Sequence, residues 1–137
     1  MAPRYLLDTN ICIYIRRRRP PEVLTQFLRL ETGEAVLSVM TYGELVYGMV
    51  KQQAPPPRRA VEQLEEFVGL IGVMPLPAEA GRRYGEIRSF LESRGEIIGG
   101  NDLWIAAHAI SADLTLVTNN EREFRRVPDL KIENWTS

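Results

Sequence analysis

Five short apolar runs, "RYLL", "AVLSV", "VMPL", "LTLVT" and "LKIENW", recur along this chain, most of them separated by stretches with helical spacing. That alternation limits the fold more than any other feature. Brief aliphatic runs without strict polar alternation read as strands buried on both faces. Strands joined through helices run parallel, and a parallel sheet is stable only when helices cover both of its sides. The expected architecture is therefore α/β, a parallel sheet with helices on both faces. At 137 residues the chain suits a single domain, 1–137, and is too short for two.

The intervening stretches fix the helices. Residues 10–18 place Ile11, Tyr14 and Ile15 on one stripe before Pro20-Pro21, and "PEVLTQFLRLE" repeats the spacing with Val23, Leu24, Phe27 and Leu28. A helix opening at Thr41 runs to about Gln52, and the prolines at 55–57 separate it from "RRAVEQLEEFVGLI", so the two read as a hairpin. A long helix over about 77–94 turns Tyr84, Ile87, Phe90 and Leu91 inward, "DLWIAAHAISA" forms the last helix, and "NNEREF" reads as a turn.

Composition excludes several classes. There is no basic leader before an apolar stretch and no run near the ~20 residues of a membrane span, so the expected compartment is the cytoplasm, with no membrane contact. A lone Cys12 reads as a small buried hydrophobe. The net charge of -1 gives no global attraction to nucleic acid, leaving only local patches such as Arg16-Arg17-Arg18-Arg19. Those arginines either contact phosphate or finish a helix whose C-terminal dipole favours cations. His108, the single histidine, sits mid-helix among Ala and Ile and reads as packing.

Acids mark one edge of the expected sheet. Asp8 leaves the first strand, Glu44 lies in the first turn after the second, and Asp102 opens a helix that leads directly into the fourth. Each of these positions belongs to the carboxyl edge, where ligands of open parallel sheets bind. Asp102 is also in register with Ile105, Ala106 and Ala109, which directs its carboxylate inward. Each acid has a simpler reading on its own: Asp8 or Asn10 as a helix cap, Asn101 or Asp102 likewise, and Thr41 with Glu44 as a capping box. Capping does not explain their convergence. Clustered carboxylates without a neutralising lysine or histidine suit a hard divalent cation with oxygen ligands.

These stretches, "LLDTNICIY", "SVMTYGELVYG" and "GEIIGGNDLWIAAHAISADLTLVTNNEREFRRVPDLKIENW", resemble the PIN-domain ribonuclease toxins of the VapC family over essentially the whole chain, with 52–95 alike only in general character. The resemblance implies a five-stranded parallel sheet and an Mg²⁺- or Mn²⁺-dependent endoribonuclease acting on tRNA or rRNA. It implies Asp8, Glu44 and Asp102 as catalytic acids, with Asp8 and Asp102 on the metal. It also implies a VapB-type antitoxin partner and a homodimer. Many PIN domains carry a further aspartate after the fourth strand where this chain has Asn120, which leaves a less acidic site. Asn10 and Asn120 are candidate supporting residues, Glu121 or Glu123 are placed to approach, and Arg16 and Arg17 are candidate RNA contacts. The competing reading is a catalytically silent scaffold that binds RNA or protein through the same cleft.

Overall fold

The computed structural model describes residues 2–136, and its architecture grows outward from β1 (Tyr5–Leu7), all of whose residues are buried. A strand so enclosed needs a neighbour on each edge and cover on each face. Its edges are met by β2 (Ala35–Ser38) and β4 (Thr115–Val117), through Leu6 opposite Val36 and Leu6 opposite Leu116. Outside these lie β3 (Val73–Met74) and β5 (Ile132–Glu133), giving a parallel five-stranded sheet of order β3-β2-β1-β4-β5.

Successive side chains of a strand point to opposite faces, and two cores result. Leu6, Val36 and Leu116 enter one, closed by α5 (Glu79–Ser93) and α6 (Gly100–Ser111). Tyr5, Leu7, Ala35, Leu37 and Val117 enter the other, closed by α1 (Thr9–Arg17), α2 (Pro21–Leu28), α3 (Val39–Gln52) and α4 (Arg58–Ile71). The division follows from handedness: the first two crossovers step toward β3 and the third jumps past β1 to β4, so right-handed connections place its helices on the opposite face.

Several local expectations change. "NNEREF" contains a helical turn, α7 (Glu121–Phe124), with Phe124 fully buried. Helix α3 begins at Val39 and is capped by Ser38, whose Oγ accepts from the Met40 amide at 3.2 Å. The capping box at Thr41 is thus absent, because β2 passes into α3 with no loop and the helix starts earlier. Helix α6 likewise begins at Gly100 with no side-chain cap, so neither Asn101 nor Asp102 caps it. Phe90 is 40% exposed rather than inward, and Leu28 is 70% exposed. His108 is fully buried, with Nδ1 3.0 Å from Ser38 Oγ, the packing role its position suggests. Among the described residues no helix is long and apolar enough to cross a membrane.

Candidate active site

The sheet changes direction of connection between β1 and β4, and Asp8 stands where β1 ends at that switch point, the usual ligand crevice of such sheets. Its amide donates to the Val117 carbonyl at 2.9 Å, extending the strand ladder by one rung. One carboxylate oxygen, Oδ1, accepts from the Thr9 amide at 2.9 Å and caps α1. The other, Oδ2, accepts from Thr118 Oγ1 at 2.8 Å. The capping reading of Asp8 is therefore correct without using the whole carboxylate. Burial pushes its carboxyl up, the Thr118 and Thr9 hydrogen bonds pull it down, and Glu44 adds repulsion.

Glu44 comes to the same edge because α3 leaves β2 directly. Its Oε1 accepts from Thr9 Oγ1 at 2.7 Å, so Thr9 links the loop after β1 to α3. Asp102, in the first turn of α6, is half-buried, one turn ahead of the buried Ile105 and Ala106. Its carboxyl is pushed up to about 6, by burial first and then by Asp8, Glu123 and Glu44. Every influence on it acts in one direction.

A fourth carboxylate stands where Asn120 suggested a loss of acid. Asn120 Nδ2 donates to Glu123 Oε2 at 3.0 Å, while the Asn120 amide donates to Thr118 Oγ1 at 3.0 Å. Glu121 turns away, accepting from Asn134 and Arg125. Of the two glutamates placed to approach, Glu123, on α7, is the one whose charge bears on Asp102. Thr9 and Thr118 were not anticipated. The available signal was position: each adjoins the end of a central strand.

Asn10 is exposed on α1 and makes no side-chain hydrogen bond among the described residues. Arg16 and Arg17 are also exposed, and they line an open groove of about 450 Å³ with Thr9, Ile13, Glu44 and Gln52. The Arg16 guanidinium lies 5.7 Å from the centre of the Phe67 ring. The groove therefore joins a cationic wall to the acidic edge.

The donor set is oxygen throughout, and Asp8 and Asp102 are each raised by burial and by neighbouring carboxylates, with no cationic side chain to offset them at Asp102. That is the chemistry a hard divalent cation relieves. Among the described residues no three acidic, histidine or cysteine side chains stand close enough to form a complete coordination shell. The arrangement fits Mg²⁺, which takes one or two carboxylates and completes its octahedron with water and substrate oxygens.

Comparison with known proteins finds relatives of the whole chain. The model of the family described as PIN domain matches residues 5–130. Ribonuclease VapC2 of Haemophilus influenzae is 41% identical over 132 residues, 96% of this chain and 98% of the relative. The tRNA(fMet)-specific endonuclease VapC of Shigella flexneri is 41% identical over 133 residues, 97% and 98% of the two chains. Among solved structures, VapBC2 from Rickettsia felis bound to a DNA fragment from its promoter superposes with a TM-score of 0.86 at 38% identity, covering 96% of this chain and 98% of that one.

Proposed function

The chain belongs to the PIN-domain family, with the VapC ribonucleases as its relatives, and on that premise we propose that it is a divalent-metal-dependent endoribonuclease toxin held in check by a VapB-type antitoxin. The observation that supports the reading is the position of Asp8, Glu44 and Asp102 at the carboxyl edge beside the β1/β4 switch point, with the Asp102 carboxyl raised by burial and by the charges of Asp8, Glu123 and Glu44. The family supports phosphodiester hydrolysis, and the Shigella relative's name supports tRNA as the substrate class.

In this reading Asp8 and Asp102 hold Mg²⁺ or Mn²⁺. A divalent ion held there would supply Lewis acidity toward water and the phosphate. Thr118 and the Thr9 amide keep the Asp8 carboxylate in one orientation, so its position does not have to be organised at the moment of reaction. Glu44, held by Thr9, and Glu123, held by Asn120, orient the attacking water or accept its proton. Arg16 and Arg17, in the groove beside Glu44, bind the phosphates of the RNA strand.

A homodimer belongs to the proposal as well. Val39, Tyr47 and Val50 of α3 are each more than a third exposed and Leu70 of α4 is 70% exposed, apolar surface that a second copy would cover. The silent-scaffold reading rested on Asn120, whose side chain here holds Glu123.

The deciding experiment incubates tRNA and ribosomal RNA with protein freed of any copurifying partner, in Mg²⁺, Mn²⁺ or EDTA. Discrete fragments that vanish with EDTA and in Asp8→Asn and Asp102→Asn are expected. Intact RNA from folded wild-type protein, with metal affinity equal in wild type and both variants, would leave these acids as structural groups.

A further inference from the structure

A second groove lies between the C-terminal end of α5 and α7. It is open, about 640 Å³, and its lining comprises Arg94, Arg122, Arg125 and Arg126 with Glu96, Phe90 and Pro128. Four arginines against one glutamate is a marked concentration in a chain whose net charge is -1. The cations are not all spent on acids. Arg94 pairs with Glu96 and Arg125 with Glu121, each at 2.9 Å. Arg126 donates only to the carbonyls of Ile97 at 3.2 Å and Glu96 at 3.4 Å, and Arg122 makes no ion pair or side-chain hydrogen bond among the described residues. Phe90, 40% exposed, carries the Arg94 guanidinium 5.4 Å from its ring centre.

Arginine forks match phosphate oxygens, and an exposed aromatic ring offers a face on which an unpaired base stacks. The connection to the cluster is short. Consecutive helical residues point about 100° apart, so on α7 Glu123 turns to Asn120 and the acids while Arg122 and Arg125 line the groove. Arg126 also anchors the loop 96–97, a few residues ahead of Asp102. Arg122, which lines the groove, and Glu123, which Asn120 holds, are neighbours on α7.

We propose that this arginine groove is a second RNA contact, which holds the sugar-phosphate backbone of a substrate strand a few nucleotides from the scissile bond. The inference rests on the ribonuclease reading and assigns to it a surface outside the acidic site. Consequently a long RNA engages both sites, whereas a short oligonucleotide occupies the acidic site alone.

The test uses Arg122→Glu, chosen because Arg122 supports no other residue, and the pair Arg122→Lys with Arg125→Lys, which keeps the charge. Binding of pooled tRNA to each is measured from 50 to 200 mM salt by fluorescence anisotropy in an Asp102→Asn background. Cleavage of tRNA and of a short single-stranded oligoribonucleotide is measured with Asp102 intact. Arg122→Glu is expected to weaken tRNA binding about tenfold at the low-salt end and to flatten the salt dependence by about one counterion. It should raise KM for tRNA while leaving kcat and the oligonucleotide unchanged, and the lysine pair should retain most of the affinity. Unaltered tRNA binding and KM in an Arg122→Glu protein that still cleaves would overturn the groove and leave the ribonuclease reading intact. The same result joined to weakened binding of polyglutamate would assign the groove to an acidic protein segment instead. Wild-type protein that neither binds nor cuts RNA would overturn both.

Discussion

One hydroxyl organises much of the acidic edge. Thr118 donates to Asp8 and accepts from the Asn120 amide, so it sets both the first carboxylate and the backbone that carries Glu123. Thr118→Val keeps the shape and removes both bonds. Loss of a hydrogen bond to a buried charged acceptor costs about 1.5–3 kcal/mol, and a loss of that size in unfolding free energy, read from a lower denaturant midpoint at unchanged slope, is expected together with slower RNA cleavage. Asp102 gives a second prediction at this scale. Its carboxyl, pushed up to about 6 in the folded chain from 3.8, binds a proton more tightly there than in the unfolded chain. Stability of the metal-free protein therefore falls as pH rises from about 4 through 6. Asp102→Asn removes the penalty, so thermal melts without metal should show the variant more stable than wild type at pH 7. The gain is of the order of 1 kcal/mol, since a half-exposed group is screened by solvent, and should disappear at pH 4. Equal melting curves at both pH values would mean the carboxyl is not perturbed. The signal legible in the sequence was the spacing that set Asp102 on the stripe of Ile105, Ala106 and Ala109. The hydroxyls of Thr9 and Thr118 were not legible, because their partners are 35 and 110 residues away.

At the level of elements, the junction of β2 with α3 decides where Glu44 falls. Ser38 is the last residue of the strand and the cap of the helix, and it also meets His108 of α6. Ser38→Ala removes both contacts. A lost cap costs about 1 kcal/mol and a broken buried hydrogen bond adds a similar amount. Calorimetry should show that loss, and activity should fall with it because α3 carries Glu44. A variant as stable as wild type would show that the helix start is held by packing alone. The sequence pointed instead to Thr41 and Glu44 as a capping box, a sound local rule that failed here. Thr41 is fully buried inside the helix and Glu44 is bound by Thr9. Helix α7 was missed for a related reason: four residues are too few to show periodicity, and it forms where Phe124 enters the core.

For the molecule as a whole, stability begins with the central strand. Leu6 is fully exposed to neither solvent nor an edge, lying at 0% exposure under α5 and α6. Leu6→Ala leaves a cavity under rigid neighbours and should cost about 2–5 kcal/mol, read as a lower urea midpoint with little change in slope. Mg²⁺ works the other way: if it binds only the folded chain, saturating Mg²⁺ raises the melting temperature of wild type and has no effect on Asp8→Asn. An equal rise in both would place the ion elsewhere. The sequence by itself determined the class of fold, the number of strands, the two-sided cover and the edge on which Asp8, Glu44 and Asp102 lie. Hydrophobic period and connection length are local properties, and the chain carries them in order. Tertiary structure alone decided the strand order β3-β2-β1-β4-β5, the bonds from Thr9 and Thr118, the inward turn of Glu123 and the arginine groove behind it. The Thr9 and Thr118 bonds join residues 35 and 110 positions apart, Glu123 is held by a local bond within a turn too short to show periodicity, and periodicity gives a residue its face but not its partner.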